Sequence, residues 1–299
     1  MLLMKRIFAA FTAVLLICFA AGCGAETGEN KKINSPEPGR TAETGGSNAI
    51  NNEFTIDEQV CFEHGGVKVT AKSVEKDSIW GTGIKLLIEN DSDKDYSVGT
   101  DAVIVNNCMV SSLFSCSVAA GKKANDVLYL SSSSLNAAGI EKIGQIEMYF
   151  YLYDSSDYKR VYNADCVTVK TSLYDTMDTS ADSTGHELYN KNGIRIVGKY
   201  VDENTFWGSS VLLYIENNSD KNITVSCDDM SVNGFMVTSL SSTTVYKNKY
   251  AFGDITILSS SLEENGITSM DTIELKFKIY EADTFKTIDT AEAVTFPAK

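Results

Sequence analysis

The chain has 299 residues, 40 Asp and Glu against 26 Lys and Arg, a net charge of −14, and 43% apolar residues. That is enough apolar material for one or two packed cores. The acidic balance argues against a protein that tracks nucleic-acid phosphates or docks on anionic lipid through charge.

In chain order, Lys5 and Arg6 precede an apolar run at residues 7–21. At about 15 residues the run suits a signal-peptide core and is short for a membrane span. The layout Met-Lys-Arg before it also fits a start at Met4. The run ends in AAGC, residues 20–23, which resembles a lipobox, the cleavage signal of bacterial lipoproteins. The resemblance implies that residues 1–22 are a lipoprotein signal peptide, and that Cys23 becomes the N-terminus and carries diacylglycerol. The protein would then sit on the extracellular face of the cell membrane, held by its lipid. Ala20 stands where Leu is commoner, and ordinary cleavage with release is the alternative. Cleavage removes two cations and no carboxylate, leaving 24 basic against 40 acidic residues, a balance of −16.

Residues 23–58 are polar, rich in Gly, Glu, Asn and Thr, and lack apolar periodicity. Such a segment does not bury enough to order itself. As a coil of roughly 35 residues it spans about 30–35 Å and lifts the rest of the chain off the membrane.

Beyond the tether lies an internal repeat with an offset of 127 residues. IWGTGIKLLIENDSDK (79–94) aligns with FWGSSVLLYIENNSDK (206–221), SSSLNAAGI (132–140) with SSSLEENGI (259–267), and FYLYD (150–154) with FKIYE (277–281). The expected units are 59–170 and 187–299, joined by a linker at 171–186. Within unit one, alternation predicts seven strands: 67–75, 83–90, 96–105, 108–117, 127–131, 145–154 and 161–170. Ile84, Leu86 and Ile88 share one face, as do Val211, Leu213 and Ile215 in unit two. Val232-Asn233-Gly234 supplies a hairpin turn, with Asn106 and Asn107 its counterpart. A short helical signal has Ser261 as cap, Glu264 three residues on and Gly266 as stop.

The fold class expected is all-β, two tandem immunoglobulin-like antiparallel β-sandwiches. The IEN-x-SDK turn and the F-x-[LI]-Y-[DE] strand, carried twice behind a lipobox, resemble the telokin-like and FxLYD-like immunoglobulin-type domains of Gram-positive surface lipoproteins. Unit one matches at Phe150, Leu152, Tyr153 and Asp154; unit two departs with Ile279 and Glu281. The resemblance implies fold and location, not chemistry.

Catalytic signals are thin. His64 and His186 occupy non-equivalent places, no metal or nucleophile motif is present, and Asp101, Asp228 and Asp229 form no preferred set. A non-enzyme without cofactor is expected. Asp91, Asp93 and Asp95 give the alternating oxygens that calcium uses, but the sixth position is Tyr96 and the twelfth Ala102, and a polar turn explains them as well. Five cysteines follow Cys23, none repeated across the offset. A bridge between Cys61 and Cys166 stands against free or buried thiols.

Trp80 and Trp207 are equivalent, each before a Gly, and read as core caps or as ligand platforms. In the strand at 145–154, Ile146, Met148, Phe150 and Leu152 match Ile273, Leu275, Phe277 and Ile279 as core. The other face carries Tyr149, Tyr151 and Tyr153 where unit two has Lys276, Lys278 and Tyr280, and Tyr129 stands where unit two has Thr256. Tyr129, Tyr149 and Tyr151, with Trp80 and Trp207, are the candidate partner-binding residues. Contact with unit two, or simple strand propensity, are the other readings of that face. The function expected is a non-catalytic binding or adhesion module at the cell envelope, taking a protein or glycan ligand. A spacer subunit of a membrane or cell-wall complex is the alternative. Mass spectrometry of the mature N-terminal peptide should find diacylglycerol on Cys23; an unmodified cysteine would remove the anchor.

Overall fold

The computed structural model describes residues 53–112 and 114–298. The signal segment, Cys23 and most of the tether lie outside the described residues. Among the described residues, no helix is long and apolar enough to cross a membrane. The described residues are all-β, with two short α-helices and a 3-10 turn at Tyr174–Thr176.

The first unit runs β1 (Gln59–His64), β2 (Val67–Asp77), β3 (Gly81–Asn90), β4 (Tyr96–Val105), β5 (Cys108–Val110), β6 (Ser115–Val118), β7 (Lys122–Tyr129), α1 (Ser132–Ala137), β8 (Gln145–Asp154), β9 (Arg160–Asn163) and β10 (Val167–Lys170). One sheet has the order β1-β2-β3-β7; the facing sheet has β10-β8-β4, with β6 and β5 on β4 and β9 on β8. The second unit repeats the plan with β11 (His186–Lys191), β12 (Ile194–Thr205), β13 (Gly208–Asn217), β14 (Ile223–Val232), β15 (Phe235–Met236), β16 (Ser239–Leu240), β17 (Thr243–Val245), β18 (Lys249–Leu258), α2 (Ser259–Glu264), β19 (Thr272–Glu281), β20 (Thr287–Thr290) and β21 (Val294–Pro297). Each unit is an antiparallel sandwich of immunoglobulin-like architecture. Its first three strands form a meander before the chain crosses to the other sheet.

Side-chain alternation places the core. Ile84, Leu86, Ile88, Ile146, Met148, Phe150 and Leu152 are at most 1% exposed, and Ile273, Leu275, Phe277 and Ile279 are fully buried. The N-x-S-D-K segment is a polar plug. Asn90 is fully buried. Its Nδ2 donates to the carbonyls of Lys94 (2.7 Å) and Val118 (3.1 Å), and its Oδ1 accepts from Ser92 N (3.1 Å) and Ser92 Oγ (2.6 Å). Asn217 repeats the network with Lys221, Val245 and Ser219. Lys94 Nζ then donates to Asp154 Oδ2 at 3.1 Å, and Lys221 pairs with Glu281. The two repeated motifs are therefore one device: the turn after β3 ties to the end of β8, and its twin ties to the end of β19. Ser156, through hydroxyl and N–H, and then Lys94 hold the Asp154 carboxyl down at about 2.

A second asparagine pair sets the hairpin after β4. Asn106 and Asn107 have φ of 49° and 71°, and Asn233 and Gly234 have 51° and 84°. Buried Asn106 accepts from Gly144 N at 2.9 Å and Gln145 N at 3.2 Å. This turn folds β5 back on β4, Val105 opposite Cys108 and Val103 opposite Val110, and the outer edge of β5 adds in parallel to β18, pairing Cys108 with Tyr250 and Met109 with Ala251. One sheet thus runs through both units in the order β10-β8-β4-β5-β18-β13-β12-β11. Val197, Tyr214 and Tyr250, on the outer face of the second unit's sheet, pack into the first unit's core, and Met109 packs against the second unit's core. Lys249 Nζ donates to Glu147 Oε1 at 2.6 Å and Asn107 Oδ1 at 3.0 Å, with side-chain exposures of 15% for Lys249 and 10% for Glu147.

Four expectations change. The folded part begins before residue 59: Phe54 is 4% exposed, and Ile56 bridges to Thr171. The 171–186 segment is docked. Thr171 Oγ1 donates to Ile143 O at 2.6 Å, Ala181 packs on the first core, and Lys199 holds Asp182 at 2.8 Å. The strands expected at 108–117 and 161–170 each break in two, because β5 and β6 pair with opposite ends of β4, and β9 and β10 with opposite ends of β8. Ser261 lies inside α2 rather than capping it, and its Oγ accepts from Thr238 N at 2.9 Å. Lys249→Ala should leave Glu147 buried without its cation and cost about 3–5 kcal/mol. Lys249→Met combined with Glu147→Leu should recover most of that loss, as measured by chemical denaturation.

Candidate functional site

The tyrosine face of β8 is occupied from within the molecule. Tyr149 meets Tyr246 of the second unit, ring centroids 4.8 Å apart and nearly perpendicular at 72°. Burial, then the neighbouring Cys166 thiol, pushes its phenol pKa up. Tyr151 lies across Gly99 on the paired strand, where any side chain would collide with its ring. Its other face carries the Arg160 guanidinium, 4.3 Å from the ring centroid, with Tyr153 edge-on at 4.9 Å. Arg160 is held by a two-pronged contact with Asp101, 2.8 Å at each oxygen. Tyr149 and Tyr151 are thus half-buried and engaged within the molecule, Tyr149 through the contact with unit two, rather than standing as an open platform.

The tryptophans stand differently. Asp77 accepts from the N–H groups of Ile79 (2.7 Å) and Trp80 (2.8 Å), forming the turn between β2 and β3. Trp80 and Trp207 are each 66% exposed, so neither caps a core. Trp80 lies 6.3 Å from Tyr129, and together they wall a groove of about 630 Å³ with Phe114, Val127 and Leu130. Ser112 lines the same groove, and its Oγ is buried with no hydrogen-bond partner. The aromatic wall makes a site that can hold an apolar face.

The equivalent surface of unit two is built from other residues. There β16 pairs with the end of β18, Ser239 with Ile257 and Leu240 with Thr256. The counterparts of Val127 and Tyr129 are Asp254 and Thr256. Trp207 stacks edge-on against Phe206 at 4.9 Å instead. Of the five candidate residues, the fold unites Trp80 with Tyr129, leaves Trp207 on the other unit, and assigns Tyr149 and Tyr151 to internal contacts.

No protein family and no curated protein matches the chain. Solved structures give loose overlaps. One is the Salmonella enterica SafA pilin in complex with the SafB chaperone, 12% identical, covering 79% of this chain and 98% of that chain at a TM-score of 0.25. The YadV chaperone is 10% identical over 72% of this chain and 92% of that one, TM-score 0.23. A protein of unknown function from Porphyromonas gingivalis W83 is 10% identical over 72% and 89%, TM-score 0.20. At these scores the likeness carries no argument, and the architecture rests on the strands described above.

The remaining candidates have structural explanations. Asp91 and Asp93 are exposed, and Asp95 accepts from Ala120 N at 2.8 Å. The loop is shaped by Asn90 and Ser92, and no group of His, Cys, Asp or Glu among the described residues is placed to hold a metal ion. His64 stacks on Tyr162 at 4.0 Å, and His186 lies 6.1 Å from Phe296. All five cysteines of the folded part are free, Cys61 and Cys166 included. Burial pushes the Cys61 and Cys116 thiols up to about 11 and Cys108 to about 12.

Phe114 and Ser112 were not legible as site residues, because nothing local marks which residues of a connecting segment meet the end of β7. Tyr246, Tyr250 and Phe252 were readable in principle: they stand where unit one has Ala119, Lys123 and Asn125. In a native thiol titration of the folded part, Cys166, the exposed cysteine among these five, should react first, and Cys166→Ser should abolish that phase. Cys61, Cys108 and Cys116 should react only on unfolding.

Proposed function

We propose that this is a lipid-anchored, non-catalytic binding module on the extracellular face of a Gram-positive cell, whose ligand is a protein or glycan of the cell envelope. The groove walled by Trp80 and Tyr129 contacts that ligand. The observation that carries this is the open aromatic wall of Trp80, Tyr129 and Phe114, built where unit two carries Asp254 and Thr256 in place of Val127 and Tyr129. An exposed Trp beside a Tyr supplies large apolar area at little entropic cost. Unit two serves as a buttress: it covers Tyr149 and extends the sheet, and Cys23 supplies the anchor.

The continuous sheet through both units favours a second reading, a stiff spacer within an envelope complex. The two separate in one experiment. Trp207→Phe leaves Trp80 as the sole tryptophan, so the emission of this variant reports the groove. Binding to isolated cell envelopes should shift Trp80 emission, and Trp80→Ala with Tyr129→Ala should weaken binding by about 30-fold or more without changing thermal stability. Tyr149→Ala with Tyr151→Ala should lower stability and leave groove affinity unchanged. Envelope binding that ignores the Trp80 and Tyr129 changes would favour the spacer.

A further inference from the structure

The joint between the sandwiches is heterologous. The β5 edge of unit one meets the β18 edge of unit two, two different surfaces of one repeated plan. Each unit carries both surfaces, so each end of the molecule keeps one unused half. At the tail the unused half is β15, equivalent to β5. At the head it is the outer edge of β7, equivalent to β18.

The unused halves keep the features that make the internal joint. Gly234 and Asn233 repeat the left-handed turn of Asn107 and Asn106, so the Gly234 carbonyl holds the place of the Asn107 carbonyl, which accepts from Tyr250 N at 3.1 Å. Lys123 pairs with Glu89 in the register that pairs Tyr250 with Glu216. The Lys123 N–H therefore points outward from the free edge, as the Tyr250 N–H does. Phe235 and Met236 are 51% and 64% exposed, whereas Cys108 at the position of Phe235 is 1% exposed because unit two covers it. The ion pair is repeated as well: Glu147 corresponds to Glu274 and Lys249 to Lys122. Both are exposed, and neither has a partner among the described residues.

We propose that the protein associates head to tail with a second copy of itself, β15 of one chain adding in parallel to the free edge of β7 of the next, with Glu274 paired to Lys122. Lysines on a free edge commonly block pairing. Here the equivalent lysine, Lys249, is the one that reaches across the joint. The intermolecular contact is weaker than the internal one, because Lys123 and Asn125 replace Tyr250 and Phe252. Such an interface does not close on itself and builds short, reversible chains.

Sedimentation of the full chain in detergent, over a concentration series at low salt, tests this. The wild type should show a mass that rises with concentration. Lys122→Glu and Glu274→Lys should each weaken association by about tenfold, since each sets like charges opposite one another. An equimolar mixture of the two variants should restore it, because every contact in an alternating chain then pairs opposite charges. Unchanged melting curves exclude misfolding, and both residues lie on the surface. A wild type that stays monomeric throughout would overturn the proposal. So would association indifferent to both reversals, or a mixture that fails to recover.

Discussion

The parallel pairing of Cys108 and Met109 with Tyr250 and Ala251 is the contact on which the arrangement of this protein depends. Two bridging pairs are little by themselves. Their effect is to bring the outer face of β13 and β18 over the open end of the first sandwich. Val197, Tyr214 and Tyr250 then lose water and join the first core. Burying such side chains contributes about 1.5–3 kcal/mol each. That outweighs the cost, about 1–3 kcal/mol, of the Tyr250 hydroxyl left without a partner. The Lys249/Glu147 pair fixes the register, since a one-residue slip would bury both charges apart.

The asparagines make the joint buildable. Asn106 satisfies Gly144 and Gln145 and holds the left-handed turn that returns β5 along β4, with its other edge toward β18. Asn90 and Asn217 satisfy the carbonyls at the opposite ends of the sandwiches, where backbone would otherwise be buried unpaired. With those loops pinned from inside, outward-facing positions are free to diverge. Unit one used that freedom for Trp80, Tyr129, Tyr149 and Tyr151; unit two used it for Tyr214, Tyr246, Tyr250 and Phe252. Two aromatic faces separated by sequence meet in space, and the groove is left where no second face covers it.

Legibility followed the range of the forces involved. The core strands could be read because burial imposes a period of two that the repeat states twice, at Ile84, Leu86 and Ile88 and again at Val211, Leu213 and Ile215. The hairpin turn at Asn233 and Gly234 could be read because positive φ selects few residue types. The first strand, Gln59–His64, was missed because its buried pair, Cys61 and Phe62, straddles a bulge that breaks alternation. The pairing of β5 with β18 was not legible, because nothing in a hairpin strand marks which distant strand meets its other edge. Trp80 was legible as special, but whether it was buried depended on a turn held by Asp77.

The sequence by itself determined the all-β class, the repeat, the core faces and the existence of an unusual aromatic face on β8, because each follows from local periodicity or from comparing one unit with the other. Only the tertiary structure decided what that face does. Tyr149 is covered by Tyr246 and Tyr151 by Arg160, while Tyr129 stays open beside Trp80. The reason is physical: a side chain's alternation is set by its own backbone, but whether its outer face meets water or protein is set by what the fold brings against it, Arg160 for Tyr151 and Tyr246 of the second unit for Tyr149.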